Sequence, residues 1–278
     1  MSTELPVCET LALKRNGSVL ELRLNRPDQR NAMTLQMGEE LSAVLTQIAD
    51  DRSIRSLVIR GNGKVFCAGG DIKGFAENFQ GSAASSQFIR DENRNFGRLL
   101  EQLNVLPQTV IMLIHGAAMG GGMGLVACAD VAITTQDAKF SLSETSLGLI
   151  PAQIAPFIVD RIGVAKSRQL MLTGSLINGQ QAGDIGYVDY AETDMAAAEH
   201  RLQQVLTQVN RCAPSANAYT KAIIMHRRDN SLSSTLDLAA DFFGEVMLGE
   251  EGREGVSSFI EKRRPEWVES RELSGAEQ

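Results

Sequence analysis

A chain of 278 residues with 43% hydrophobic and 22% charged residues can bury a sizeable core and is not a disordered polymer. Its net charge of -7 at pH 7 and pI near 5.1 argue against a nucleic-acid groove, which shows as a basic excess. The scattered cysteines Cys8, Cys67, Cys128 and Cys212 form no CxxC pair and no zinc spacing, so they read as reduced thiols.

The segment MSTELPVCETLALKRNG has no charged region followed by a long apolar run, so no signal peptide is expected. No apolar run approaches the ~20 residues of a membrane span, and a cytoplasmic location is expected. SVLELRLNRP alternates, with Leu20, Leu22 and Leu24 on one face, and predicts a half-buried strand stopped by Pro27. TLQMGEELSAVLTQIADD repeats apolar residues at helical spacing. IRSLVIRGNG predicts a buried strand ending in a turn, and FIRDENRNFGRLLEQL an amphipathic helix. TVIMLIHG predicts another buried strand, GMGLVACAD a short apolar helix, and VAITTQDAKFSL a returning strand. This alternation is an α/β pattern. After about residue 160 every segment is helical in period: VAKSRQLMLTG, AAAEHRLQQVLTQVNRCA, SANAYTKAIIMHRR, SSTLDLAADFFGEVML and GREGVSSFIEKRR.

Several familiar motifs are absent. GNGKVF lacks the phosphate-loop form, Leu125 stands where a dinucleotide fingerprint needs its third glycine, and there is no GxSxG elbow. His115, His200 and His226 do not cluster, so no metal site is expected. Two glycine-marked turns remain, each after a buried strand: FCAGGDIKGF and MGGGMG. Each can present backbone N–H groups with no side chain in the way. Two such groups aimed at one point make an oxyanion hole, worth about 3–4 kcal/mol per donor in a transition state. They also read as ordinary tight turns. In FSLSETSLGLIPAQIAPF, Glu144 stands alone in a weakly polar setting. It reads either as a general acid/base with a raised pKa or as an exposed helix start capped by Ser143.

In this order and spacing, the motifs NRPDQRNAM, FCAGGDIK, GAAMGGGMGLVACADVAI, FSLSETSLGLIP and FIEKRRP resemble the crotonase superfamily, the enoyl-CoA hydratases and isomerases. The resemblance runs over nearly the whole chain. It implies an α/β fold, a spiral of ββα units over residues 1–200 carrying the CoA and acyl site. A helical oligomerisation region follows over 201–278. It implies a trimer or a dimer of trimers, an acyl-CoA thioester as substrate, and no cofactor, since coenzyme A is part of the substrate. No nucleic-acid or membrane partner is expected. By motif, the oxyanion donors are the N–H groups of Ala68 and Gly121, and the acid/base is Glu144. The resemblance implies CoA contacts at Arg26, Arg30, Ala68, Asp71, Ile72, Lys73, Phe259 and Lys262. It implies an acyl pocket with Gly124, Ser143, Pro151 and Gln153.

The chain departs from the two-acid hydratases at Gly124, where they carry a Glu. One carboxylate can move a double bond by taking and returning a proton, so the missing acid favours an isomerase. The flank SETSLGLIPAQIAPFIVDRIG favours a hydro-lyase instead. It resembles the branch that hydrates 3-methylglutaconyl-CoA and isohexenylglutaconyl-CoA. Hydration of such a thioester is the expected activity, and delta3-delta2 isomerisation of an enoyl-CoA is the alternative. The substrate's own distal carboxylate would then help to place water, held by Arg90, Arg94 or Arg98 on one helical stripe. These arginines also read as a solvated face.

Overall fold

The computed structural model describes residues 5–71, 74 and 85–268. The chain divides into two compact units, 1–203 and 204–278.

In the first unit, β1 (Leu11–Asn16) and β2 (Val19–Leu24) pair antiparallel around Gly17. Leu20, Leu22 and Leu24 are fully buried, as the alternation of β2 predicts. β1 escapes sequence patterning because it is an edge strand with most of its residues half-buried or exposed. The helix α1 (Leu35–Ile48) starts where the Thr34 hydroxyl accepts the Met37 N–H. It buries Met37, Leu41, Val44, Leu45 and Ile48. Then come β3 (Ser56–Gly61), α2 (Ser86–Asn104), β4 (Thr109–Ile114), β5 (Ala117–Met119) and α3 (Gly121–Ala127). β6 (Val131–Thr135), β7 (Lys139–Ser141), α4 (Ala155–Thr173), β8 (Leu176–Asn178), α5 (Gly179–Asp184) and β9 (Tyr190–Glu192) complete the order.

Two sheets result. The larger runs β1-β2-β3-β4-β6-β9, with every pairing after the first hairpin parallel. The smaller runs β5-β7-β8. The expected single strand VAITTQDAKFSL is therefore two strands in different sheets, separated by the turn at 136–138. Hydrophobic periodicity sees one apolar stretch there and cannot see the change of sheet. The helix α4 is broken at Gly163, where φ is 73° and ψ 165°.

The helix α6 (Met195–Arg211) carries the chain into the second unit, where α7 (Pro214–Asp229), α8 (Leu232–Leu248) and α9 (Glu250–Ile260) follow. Polar bonds tie these last helices. Glu251 accepts the Ser215 N–H and hydroxyl, Arg263 pairs with Glu254, and His226 Nδ1 lies 3.0 Å from the Thr235 hydroxyl. Many apolar side chains stay exposed, among them Phe243 at 68%, Leu248 at 74% and Phe259 at 84%. Among the described residues, no helix is long and apolar enough to cross a membrane, and no group of three or more His, Cys, Asp or Glu could hold a metal ion.

Candidate active site

Three chain segments lie side by side and parallel. Cys67 bridges Ala118, and Ala118 in β5 pairs with Phe140 in β7. Parallel strands end together, so the loops that follow them converge. The loop after Cys67 carries the first glycine turn, the end of β5 leads into the second, and Glu144 lies three residues past the end of β7. Phe140 and Tyr187 meet edge to face, ring centres 5.7 Å apart. The buried Tyr187 hydroxyl donates to the Met123 carbonyl at 2.6 Å and so fixes α3 from below.

The glycines at 120, 121 and 122 have three different causes. Gly120 has φ 46° and ψ -116°, and a Cβ there would stand 2.7 Å from Glu144 Oε1. A side chain would be strained and would also displace the carboxylate. Gly121 begins α3, and Gly120 offers no side-chain cap. Its N–H, in the first turn, has no carbonyl within the helix to reach, and Gly121 forms part of a cavity wall. Gly122 is packed: a Cβ there would meet Cys67 Cβ at 2.9 Å. The Cys67 thiol is itself fully buried and pushed up to about 12 by that burial, so it stays protonated and inert.

Glu144 opens a short 3-10 turn, Glu144–Leu147. The Ser143 side chain makes no cap, and Glu144 is half-buried, so the exposed helix-start reading fails. Its Oε2 is buried with no hydrogen-bond partner among the described residues. Burial pushes the carboxyl above the ordinary carboxylate range, against a smaller lowering by its own backbone N–H.

The expected oxyanion donor Ala68 is corrected. Its N–H donates to the Arg30 carbonyl at 3.0 Å and is held by the fold. The neighbouring Gly70 has the free geometry. Gly69 C=O accepts the Met33 N–H, and the Asp71 N–H donates back to the Met33 carbonyl. A trans peptide turns its N–H opposite to its C=O, so the Gly70 N–H points away from Met33. It has no partner among the described residues, and Gly70 lines the cavity. The motif shows the glycine pair but not which peptide the bridge to Met33 consumes.

The cavity measures about 1020 Å³, at the upper end for small-molecule sites. Ala68, Gly70, Gly121, Ser143, Glu144, Pro151 and Gln153 all line it. Gly124, expected in the acyl pocket, is corrected: it lies buried behind that wall, and the lining residue there is Ile154. A Cβ on Gly124 would stand 2.3 Å from Ile154 Cγ2 and 3.4 Å from Leu100 Cδ1. The space a second acid would need is filled. Ile154 was missed because an apolar residue in PAQIAPF carries no chemical signal of its own. Gln153 donates to Asn93 at 2.8 Å on the same wall, while other wall carboxylates, Glu39 and Glu92, stand on α1 and α2. Arg90 and Arg98 reach the cavity; Arg94 pairs instead with Glu101 at 2.8 Å.

The expected CoA contacts are only partly brought together. Arg26 and Asp71 bind each other at 3.2 Å, Arg26 also donates to the Ala32 carbonyl, and Asp71 accepts the Gly74 N–H. Both act as braces between loops. Arg30 is exposed, with φ 52°. Ile72 and Lys73 lie outside the described residues. Phe259 and Lys262 are exposed in the second unit. Sequence reading also passed over Asn31, fully buried with φ 53°. It accepts the Arg26 N–H and donates to the Asn62 and Val65 carbonyls, pinning the loop that carries Arg30. The signal was the Asn after Arg30 in NRPDQRNAM, a residue type that tolerates positive φ.

Residues 14–270 match the family described as enoyl-CoA hydratase/isomerase. A probable enoyl-CoA hydratase of Bacillus subtilis is 33% identical, with 92% of this chain and 98% of that protein aligned. The 1,2-epoxyphenylacetyl-CoA isomerase of Escherichia coli is 30% identical, over 90% of this chain and 95% of that one. Among solved structures, Pseudomonas aeruginosa AtuE is 48% identical with a TM-score of 0.91, covering 94% of this chain and all of that one. An enoyl-CoA hydratase/isomerase from Marinobacter aquaeolei is 43% identical with the same TM-score, over 94% and 100% of the two chains. The architecture is the crotonase fold, and the chain belongs to the enoyl-CoA hydratase/isomerase family.

Proposed function

We propose that the protein hydrates an α,β-unsaturated acyl-CoA thioester with Glu144 as both general base and general acid. The observation that carries this reading is the Glu144 carboxylate. It is half-buried, with an unpartnered Oε2, and faces the turn that presents the Gly121 N–H. Glu144 takes a proton from water as the oxygen adds to C3. The electron pair moves onto the thioester oxygen, which the Gly70 and Gly121 N–H groups hold. Glu144 then returns the proton to C2, giving a 3-hydroxyacyl thioester. Its raised pKa suits both halves of that cycle, since a carboxylate with a pKa nearer the working pH is a stronger base toward water and can still give the proton back.

The finer reading is a 3-substituted glutaconyl thioester, isohexenylglutaconyl- or 3-methylglutaconyl-CoA. Arg90 and Arg98 on the cavity wall support it, as cations for a second carboxylate. Ile154 in the place of a second acid favours the alternative, double-bond isomerisation by Glu144 alone. We also take the chain to be a trimer or a dimer of trimers, which would cover the exposed apolar residues of the second unit, including Phe259.

The test is product mass on 3-methylglutaconyl-CoA, isohexenylglutaconyl-CoA, crotonyl-CoA and 3-hexenoyl-CoA. A gain of one water, lost in Glu144→Gln, supports hydration. An isobaric shift of 3-hexenoyl-CoA to the conjugated isomer, with no hydration of any substrate, replaces it with isomerisation. An amide analogue of the distal acid that hydrates undiminished removes the carboxylate's role.

A further inference from the structure

The cavity does not stop beside Glu144. It continues between two helices, with Leu35, Gly38 and Ser42 of α1 on one side and Phe96, Leu99 and Gln102 of α2 on the other. The α1 residues fall at i, i+3 and i+7 and so share one stripe, adjoining the face that α1 buries in the core. Polar bonds join the two helices at the far end. Ser42 Oγ donates to Gln102 Oε1 at 2.9 Å, and Gln102 Nε2 donates to the Thr46 hydroxyl at 2.8 Å.

Gly38 is the unexplained residue of this seam. It lies in the interior of a regular helix, where alanine is the better choice. No positive φ requires glycine there, and a Cβ would meet its nearest neighbour, Leu99 Cδ2, only at 4.0 Å. Neither the backbone nor the packing accounts for it. Its effect is to leave the seam open.

We propose that Gly38, by leaving the seam between α1 and α2 open, sets how long or branched an acyl chain the enzyme accepts. This rests on the reading of the cavity as the acyl site. Met33 lies beside the Gly70 and Gly121 peptides, and Gly38 is a full turn, about 6 Å along the helix axis, beyond the next residue, Thr34. A short enoyl group attached near Glu144 would fall short of it, and a long or branched one would lie against it. Leu35, Phe96 and Leu99 give the seam an apolar strip, with Glu39, Asn95 and Arg98 of the same helices also on the cavity wall, so the matching ligand chemistry is a hydrocarbon arm whose tip reaches the Ser42–Gln102 pair.

The test compares kcat/KM for trans-2-dodecenoyl-CoA and crotonyl-CoA in wild type, Gly38→Ala and Gly38→Leu. The ratio of long to short should fall on the order of tenfold or more in Gly38→Leu and by a smaller factor in Gly38→Ala, since each methylene excluded from an apolar pocket costs that order of discrimination. A ratio that stays at the wild-type value in both variants overturns the proposal. Should Gly38→Leu not fold, Gly38→Ala decides alone, because its Cβ fits. Should the wild type turn over no enoyl thioester, the hydratase reading fails instead. The seam is then read by binding: decanoyl-CoA must lose affinity relative to butyryl-CoA in the variants, and equal losses would overturn it.

Discussion

Gly38 and Gly124 stand on helices that border one cavity, and they are glycine for opposite reasons. Beside Gly38 there is room, and nothing in the fold asks for it to stay empty. Beside Gly124 there is none, because Ile154 already fills the place a side chain would take. The cavity is thus extended at the end away from the chemistry and closed where another acid would stand. The difference teaches that a glycine's meaning lies in its neighbours: the same residue marks a space for ligand in one helix and a finished packing contact in the other.

The largest expected effect concerns the acid on which that comparison depends. Glu144→Gln should lower kcat on the best enoyl thioester by about 10²–10⁴-fold, the usual range for a lost acid/base. A variant that retains most of its activity would mean that a different wall carboxylate does the chemistry and that the closure at Gly124 is irrelevant. Next comes the closed side. Gly124→Ala should destabilise by about 1–3 kcal/mol through overpacking. In Ile154→Ala, which removes the offending methyl, the same change should cost far less, and the double-mutant cycle should show coupling of about 0.5–3 kcal/mol. Additive losses in chemical denaturation would show that Ile154 does not fill the space. On the open side, Gly38→Ala should raise stability by about 1 kcal/mol, as in any helix interior. A loss in the same denaturation series would mean that the seam tolerates no Cβ.

The smallest effect is a pH dependence. Burial raises the folded-state pKa of Glu144 above its unfolded value. Its stabilising contribution is therefore full below the unfolded value and is lost as pH rises through the raised folded one. Glu144→Gln, which has no charge to bury, should be more stable than wild type at neutral pH, with the gap closing toward acid. The acid limb of the kcat/KM profile should also sit above the ordinary carboxylate range. A thermal-melt series with a constant gap across pH would contradict the burial of the charge.

The sequence made the scaffold readable wherever burial has a period. Leu20, Leu22 and Leu24 announce β2, and Met37 through Ile48 announce α1, because each element has one face in the core. It was silent on β1, β5, β8 and β9, which are half-exposed or only three residues long. At the site, Glu144 and the glycine turns were visible as residue types. What was not visible was which peptide bonds the fold consumes: Ala68 lost its N–H to Arg30 through a contact 38 residues away. The partner of a charge is hidden from the sequence for a related reason. The sequence shows the Arg26 charge but not that Asp71, 45 residues on, stands beside it.

The Ile154 methyl also governs which sequences are reachable from this one. A second carboxylate at position 124 would demand two substitutions, and each alone is unfavourable: the acid first collides with Ile154, while trimming Ile154 first leaves a hole in the wall. On the proposed reading, single-step variation can therefore reshape the acyl end of the cavity through Gly38 while Glu144 remains the acid. New activities on this scaffold would be expected to differ first in the chains they accept and only much later in the reaction they perform.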